Sequence, residues 1–331
     1  MTDSRPSTMD DVPDFDDVVR AGARIAPFIH DTPVMTSTAI DELVGTRVHL
    51  KCEHLQRTGA FKFRGATNAV FALDDDSTQR GVAAHSSGNH AAALALAARI
   101  RGIACHVVMP TTTPAAKQAA AGGYGATIIL CEPTLDAREE TLAGVIDRTG
   151  ATEIHPYDDL QVIAGQGTAT LDLLARHPQI GAVMAPVSGG GLLSGTAIAA
   201  HGVDPDVVVL GAEPAGVDDA YRSLRDGART AAGNTTSIAD GLLAVLSDRT
   251  FHILQAERVH VTTVTEAEII DAMALVFSRL KQVIEPSAAT AVAALLSLAR
   301  AGHALPNDVG VILSGGNVDL EALPFTAETA P

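Results

Sequence analysis

Tryptophan is absent from the 331 residues, and Phe and Tyr raise the aromatic share to only 3%. A core without large rings must be filled by aliphatic side chains, as is common where helices cover a parallel sheet. Cysteine is scarce too. Cys52, Cys105 and Cys131 form no CxxC pair and no Cys/His metal spacing, so they read as reduced, buried thiols in a cytoplasmic protein. Basic charge is in short supply: 23 Lys and Arg face 39 Asp and Glu, a net charge of −16. That balance argues against nucleic acid and anionic membranes as partners, while leaving room for a local basic pocket. The most apolar helical stretches, Ala91–Ile100 and Ala288–Ala301, are too short or too interrupted to span a bilayer. Met1–Asp17 is acidic and polar, with neither the basic nor the apolar region of a signal peptide.

What the chain does have is apolar content: 47% of its residues, with 19% charged. That is enough for one large domain or two modest ones with a sizeable core. Residues 1–11 read as a frayed tail. Beyond them, β-rich runs alternate with Ala-rich helical runs. Strands are expected at Arg47–Lys51, Gly81–His85, Ala104–Met109, Thr127–Leu130, Ala182–Val187, Val207–Ala212 and Val309–Leu313. Helices are expected at Asn89–Ile100, Pro114–Tyr124, Leu135–Thr149, Ala164–Arg176, Leu192–Ala200, Glu266–Leu280 and Ala288–Ala301. The alternation predicts an α/β protein with parallel sheets, and no internal repeat is visible.

Three predicted strands run into polar, glycine-containing loops before a helix or the chain's last segment: His85–Asn89, Val187–Gly191 and Leu313–Asn317. Ligands of open α/β sheets bind at the carboxyl ends of strands, so these loops can face one crevice. Gly189-Gly190-Gly191 is either a flexible turn or a cradle of backbone N–H groups for a phosphate. It is not a Walker A loop, because no Gly-Lys-Ser/Thr follows. Lys62 lies in Thr58-Gly59-Ala60-Phe61-Lys62-Phe63-Arg64-Gly65, between two phenylalanines. A lone lysine is usually a solvated charge, but an apolar setting lowers its pKa and makes the amine a nucleophile.

The Thr58–Gly65 segment resembles the cofactor-lysine motif of the threonine/serine dehydratase and serine racemase family, pyridoxal-phosphate enzymes of the tryptophan synthase β fold type. In the same order as in that family come Ser86–His90, Ile163–Thr168, Gly189–Gly191, Ala239–Gly241, Ile284–Ser287 and Ser314–Asn317, a span from Thr32 to Leu320. The resemblance implies two domains with the cofactor in the cleft between them. Residues 74–155 would form a small domain inserted into a large one built from 12–73 and 156–331. It also implies a homodimer.

Residue roles follow from the same resemblance. Lys62 would carry pyridoxal phosphate as a Schiff base and move the substrate's Cα proton. Phe61 would pack on the pyridine ring and Asn89 would bond its hydroxyl. Gly189, Gly190, Gly191 and Leu192 would bind the phosphate, and Ser314 would face the ring nitrogen. A neutral serine there suits elimination better than transamination. Ser86, Ser87, Gly88, Asn89 and His90 would bind the substrate carboxylate, although Ser and Asn are also common helix caps. Ser87 resembles the racemase branch, where it is the acid/base opposite the lysine. Arg138 matches an arginine of that branch and would take a second carboxylate, the alternative being a solvated helix face beside Glu139. Glu213, Val217 and Asp219 resemble that branch's divalent-cation loop, whose oxygen ligands suit Mg²⁺, Ca²⁺ or Mn²⁺. Plain helix-start acids are the other reading of Asp218 and Asp219.

The chain departs from the family pattern in places. Ser188 replaces the first of four loop glycines, and its N–H survives. Ala244 stands where the racemase branch has a substrate-contacting serine, which argues against serine as preferred substrate and against efficient racemisation. Arg57 replaces a lysine of that branch's nucleotide-effector site. No regulatory domain follows Pro331, so isoleucine feedback is not expected. The leading expectation is elimination of water from an L-hydroxy-amino acid such as threonine or serine, the β-hydroxyl being protonated through the cofactor phosphate. Serine racemase and threo-3-hydroxyaspartate ammonia-lyase activities are the alternatives, and a non-catalytic ligand-binding homologue is the remote one.

Overall fold

The computed structural model describes residues 12–231 and 236–325. The expected tail at 1–11 lies outside the described residues. Among the described residues, ten strands form two sheets: β1 Val34–Met35, β2 Arg47–Lys51, β3 Val82–His85, β4 Cys105–Pro110, β5 Thr127–Cys131, β6 Thr152–Glu153, β7 Ala182–Pro186, β8 Val208–Pro214, β9 His260–Val264 and β10 Asp308–Ile312. The larger sheet has the order β1-β2-β10-β7-β8-β9 and the smaller β5-β4-β3-β6. Every pairing is parallel except β1 on β2, an antiparallel edge that the expectation of parallel sheets did not include.

The central strands are buried on both faces, which explains their continuous apolar runs. In β7, Ala182 and Met184 join one core cluster while Val183 and Ala185 join the cluster on the opposite face. In β4, Val107 and Met109 face one cluster and Val108 the other. Strands β1, β6 and β9 were not expected. The first two are only two residues long, and β9 is mostly half-buried at the sheet's edge.

The expected helices form with small changes of boundary. Leu135–Thr149 and Glu266–Leu280 match at both ends, because their caps are written in sequence. Thr134 accepts from the Ala137 N–H and Gly150 closes the first helix at φ +71°. Thr265 and Glu268 form a reciprocal capping box on the second. The helix Lys62–Ala72 was not expected, and it begins at the lysine singled out in the sequence. It packs against the Leu160–Arg176 helix so closely that a Cβ on Gly165 would stand 2.6 Å from the Gly65 Cα. No described helix is long and apolar enough to cross a membrane.

Candidate functional site

Lys62 opens its helix where three chain segments meet. Ala60 bridges Gly315 in antiparallel fashion, and the Phe61 N–H donates to the Ser314 carbonyl at 2.9 Å. The start of the helix is thereby fixed to the end of β10. Lys62 is half-buried; its Nζ donates to the Pro156 carbonyl at 2.8 Å and lies 5.2 Å from the centre of the Phe61 ring. Burial pushes the amine down to about 8, against the opposing pull of the Glu285 carboxylate. An amine in that range offers a substantial neutral fraction near physiological pH, as nucleophilic and proton-transfer roles require.

The segment after Pro156 leads to the glycine loop. Gly190 adopts φ +92°, a conformation that favours glycine, and caps the Gly191–Val203 helix without a side-chain bond. A Cβ on Gly189 would stand 2.5 Å from the Tyr157 ring, and one on Gly190 2.6 Å from the Thr250 Cβ. Thr250 donates from Oγ1 to the Gly189 carbonyl at 2.8 Å, which fixes the turn. The uncapped helix start presents backbone N–H groups suited to an anion. Ser188 turns its hydroxyl away to Ala244, accepting from its N–H at 3.1 Å and donating to its carbonyl at 3.3 Å. The replaced loop glycine and the replaced substrate serine are therefore direct neighbours.

The loops after β3 and β10 follow strands of different sheets. Asn89 begins the helix Asn89–Arg101 after β3, and its Nδ2 donates to both Glu285 carboxylate oxygens at 2.9 and 3.1 Å. Its Oδ1 accepts from Asn317 Nδ2 at 2.8 Å. The loops after β3 and β10, far apart in sequence, are thus hydrogen-bonded to one another, and Tyr157, against the glycine loop, follows the Pro156 carbonyl that accepts from Lys62. Ser314 is buried at this junction, while Ser86, Ser87 and Gly88 are half-buried along its rim. Within the loop, the Gly88 N–H donates to Ser86 Oγ at 3.4 Å.

A family model described as pyridoxal-phosphate dependent enzyme matches residues 25–315. The chain belongs to this family. It is 46% identical to a beta-hydroxyaspartate dehydratase of Paracoccus denitrificans (strain Pd 1222), over 95% of this chain and 99% of that one. A crystal structure of serine racemase from Dictyostelium discoideum superposes with a TM-score of 0.89 at 47% identity, covering 93% of this chain and 99% of that chain. A crystal structure of a T.th. threonine deaminase gives 0.87 at 44% identity, with coverage of 93% and 99%. The resemblance read from Lys62 and its companion motifs is confirmed at the level of family and of tryptophan synthase β-type fold.

Other expected site residues of this pyridoxal-phosphate enzyme are placed less centrally. His90 is buried, with Nε2 on the Ile154 carbonyl at 2.9 Å; burial and the nearby Lys62 hold it down to about 3, a neutral ring at any ordinary pH. His85, next to the loop, meets His155 edge-on at 6.1 Å and is held below the usual histidine range by burial. Arg138 is half-buried and adds to that lowering by its charge; its Nε is buried without a hydrogen-bond partner among the described residues.

In the proposed cation loop, both Glu213 oxygens accept backbone N–H groups, from Ala220 at 2.9 Å and Tyr221 at 2.8 Å. Burial, with help from the charges of Asp219 and Asp218, pushes Glu213 up to about 8. Burial lifts Asp219 to about 6, and its Oδ2 has no partner among the described residues. Val217 is buried between them in sequence. Among the described residues, no group of three or more His, Cys, Asp and Glu side chains is arranged to hold a metal.

Glu285 is the site residue that sequence reading left without a role. It was visible only as part of the Ile284–Ser287 motif. Its carboxylate is buried, accepts from Asn89 and from the Asn317 N–H at 3.2 Å, and is pushed up to about 7 by burial.

Proposed function

We propose that this enzyme eliminates water from an L-hydroxy-amino acid and releases a 2-oxo acid and ammonia. The observation that carries the reading is the Lys62 amine, lowered to about 8 and placed beside a glycine cradle and a polar anion loop. The family supplies the cofactor, and the residues present fit it. Lys62 would hold pyridoxal phosphate, Phe61 would pack on its ring, and Asn89 and Ser314 would bond its edge. Gly189, Gly190, Gly191 and Leu192 would hold its phosphate. When bound, the cofactor withdraws electrons from the substrate's Cα.

The protein's own groups do the rest. Ser86, Ser87, Gly88 and the helix start at Asn89 bind the substrate carboxylate, with His90 supporting the loop from beneath. Lys62, freed when the substrate amine takes its place, removes the Cα proton, and the β-hydroxyl departs with one proton as water, so proton uptake and release cancel. The released enamine hydrolyses to the 2-oxo acid and ammonia. A neutral Ser314 at the ring edge favours this course over transamination. The relatives named a dehydratase and a threonine deaminase support the same reading.

Two observations favour neighbouring activities. Arg138, with an unpartnered buried Nε beside His85, can take a second carboxylate, which favours 3-hydroxyaspartate as substrate. Ser87 can serve as the acid/base opposite Lys62, which favours some racemisation, and one relative is named serine racemase. We also propose that residues 74–155, around the smaller sheet, form a small domain inserted into a large one built from 12–73 and 156–331, and that the protein works as a cytoplasmic homodimer. A divalent cation, Mg²⁺, Ca²⁺ or Mn²⁺, would be held by Glu213, Asp219 and the Val217 carbonyl. The partnerless Asp219 Oδ2 supports it. Adding Mg²⁺ is expected to raise the melting temperature of the parent protein but not that of Asp219→Asn.

The deciding experiment measures 2-oxo acid from L-serine, L-threonine, D-serine and L-threo-3-hydroxyaspartate with pyridoxal phosphate and Mg²⁺ added. Release from an L-substrate is expected, with hydroxyaspartate turnover lost in Arg138→Ala. No release from cofactor-loaded protein sinks the elimination reading. Chiral analysis of Ser87→Ala then tests racemisation, since inversion at full rate without Ser87 rules out its role as second base.

A further inference from the structure

We infer that Glu285, with Asn317, is a positioning residue that locks the Asn89 amide so that a free Nδ2 N–H faces the cofactor ring. The inference rests on the reading of Asn89 as a ring partner. Glu285 occupies the N-cap of the Pro286–Arg300 helix, where a side-chain oxygen ordinarily accepts an N–H of its own first turn. It makes no such bond. The carboxylate instead reaches over to the helix of the other sheet and accepts from Asn89 Nδ2 at 2.9 and 3.1 Å.

The chemistry of the partners leaves Asn89 one orientation. Both Glu285 oxygens accept N–H groups, from Asn89 Nδ2 and, at Oε2, from the Asn317 backbone as well, so the carboxyl group selects the Nδ2 end of the amide. Asn317 Nδ2 donates to the Asn89 Oδ1 at 2.8 Å and to the Thr58 carbonyl at 2.7 Å, so it selects the opposite end. Asn317 is itself held, because its backbone N–H donates to Glu285 at 3.2 Å. The two similar distances from Asn89 Nδ2 to Glu285 fit one N–H shared by both oxygens, which leaves the second N–H to donate elsewhere.

Among the described residues, Glu285 forms no ion pair. Its charged neighbours are Lys62, which hydrogen-bonds to Pro156, and the exposed pair Lys117–Asp240 at 2.6 Å. A Cβ on Gly315 would stand 2.5 Å from Glu285 Oε1, so the loop is shaped closely around the carboxylate.

The test uses full-length protein stripped of cofactor and titrated with pyridoxal phosphate. Three quantities are read: affinity by equilibrium dialysis, visible circular dichroism per bound cofactor, and melting of the cofactor-free protein. Glu285→Ala, Asn317→Ala and Asn89→Ala are each expected to weaken cofactor binding about tenfold or more and to diminish the dichroism. The double variant Asn89→Ala/Glu285→Ala should be no weaker than Asn89→Ala alone. Glu285→Gln keeps an oxygen acceptor without the charge and should recover most of the affinity and dichroism. Additive losses in the double variant, or a Glu285→Gln no better than Glu285→Ala, overturn the inference. So does a Glu285→Ala that lowers only the melting temperature. If Asn89→Ala itself changes neither affinity nor dichroism, the reading of Asn89 fails first, a result distinct from a silent Glu285→Ala beside a damaged Asn89→Ala. Should Glu285→Ala not fold, Asn317→Ala and Glu285→Gln carry the same test: the first must weaken binding and the second must stay near the parent.

Discussion

Lys62 and Arg64 lie two residues apart on one helix, and their surroundings drive them in opposite directions. Lys62 is half-buried beside a carbonyl and an aromatic ring, and its amine falls to about 8. Arg64 is fully buried, yet its guanidinium is held above its ordinary value, because Glu53 and Asp172 outweigh the cost of burial. Its Nε and Nη2 donate to the two Glu53 oxygens at 2.7 and 2.9 Å, and Nη1 lies 2.9 Å from Asp172. Burial therefore lowers the amine of one cation, while the more deeply buried one keeps its charge. The difference is a bonded carboxylate, which fixes the charge of one and is missing from the other. Arg64 also anchors the helix that presents Lys62.

The largest effect that would sharpen this contrast is expected from Lys62→Met. It should abolish 2-oxo acid release, while the cofactor-free protein folds. Its stability should also depend on pH in a defined way. Lys62 has its folded pKa lowered from 10.5 to about 8, so the unfolded chain binds more protons between those values. The parent should therefore gain stability relative to Lys62→Met as pH rises from about 8 to about 10.5. Below that window, Lys62→Met should be the more stable of the two. Denaturant melts of both proteins across the range check the sign, and a parent that loses ground with rising pH would show that Lys62 is not desolvated.

A smaller effect, on stability alone, is expected from Arg64→Met. It leaves Glu53 buried without its cation and should cost about 3–5 kcal/mol in urea unfolding. A loss comparable to that of a surface substitution would break the contrast from the other side. The smallest is expected from Lys117→Ala. That pair with Asp240, at 2.6 Å, is slightly shorter than the buried one at 2.7 Å, but both side chains are exposed, and its removal should cost less than about 1 kcal/mol.

The site was legible wherever local chemistry is written in short segments. Lys62 between two phenylalanines, the triple glycine and the polar loops after β3 and β10 all stand out in the sequence, and the fold brings them together. The helix that carries Lys62 was not legible. Phe63 through Val70 are all buried, so polar and apolar residues alternate without the period that marks a surface helix. Strand β9 was hidden for a different reason. It lies at the sheet's edge and is half-buried along most of its length, so it lacks the continuous apolar run of β7.

The sequence by itself determined the α/β class, the capped helices and the family, and it singled out Lys62 as the lysine proposed to hold the cofactor. Each of these depends on local pattern: caps within four residues, continuous apolar strands, and contiguous motifs. Only the tertiary structure decided which charges meet. It paired Arg64 with Glu53 and Asp172, left Lys62 against a carbonyl, and brought Glu285 across to Asn89 from a position 196 residues away. Electrostatic energy depends on distance and burial, and neither is encoded in the spacing of residues along the chain.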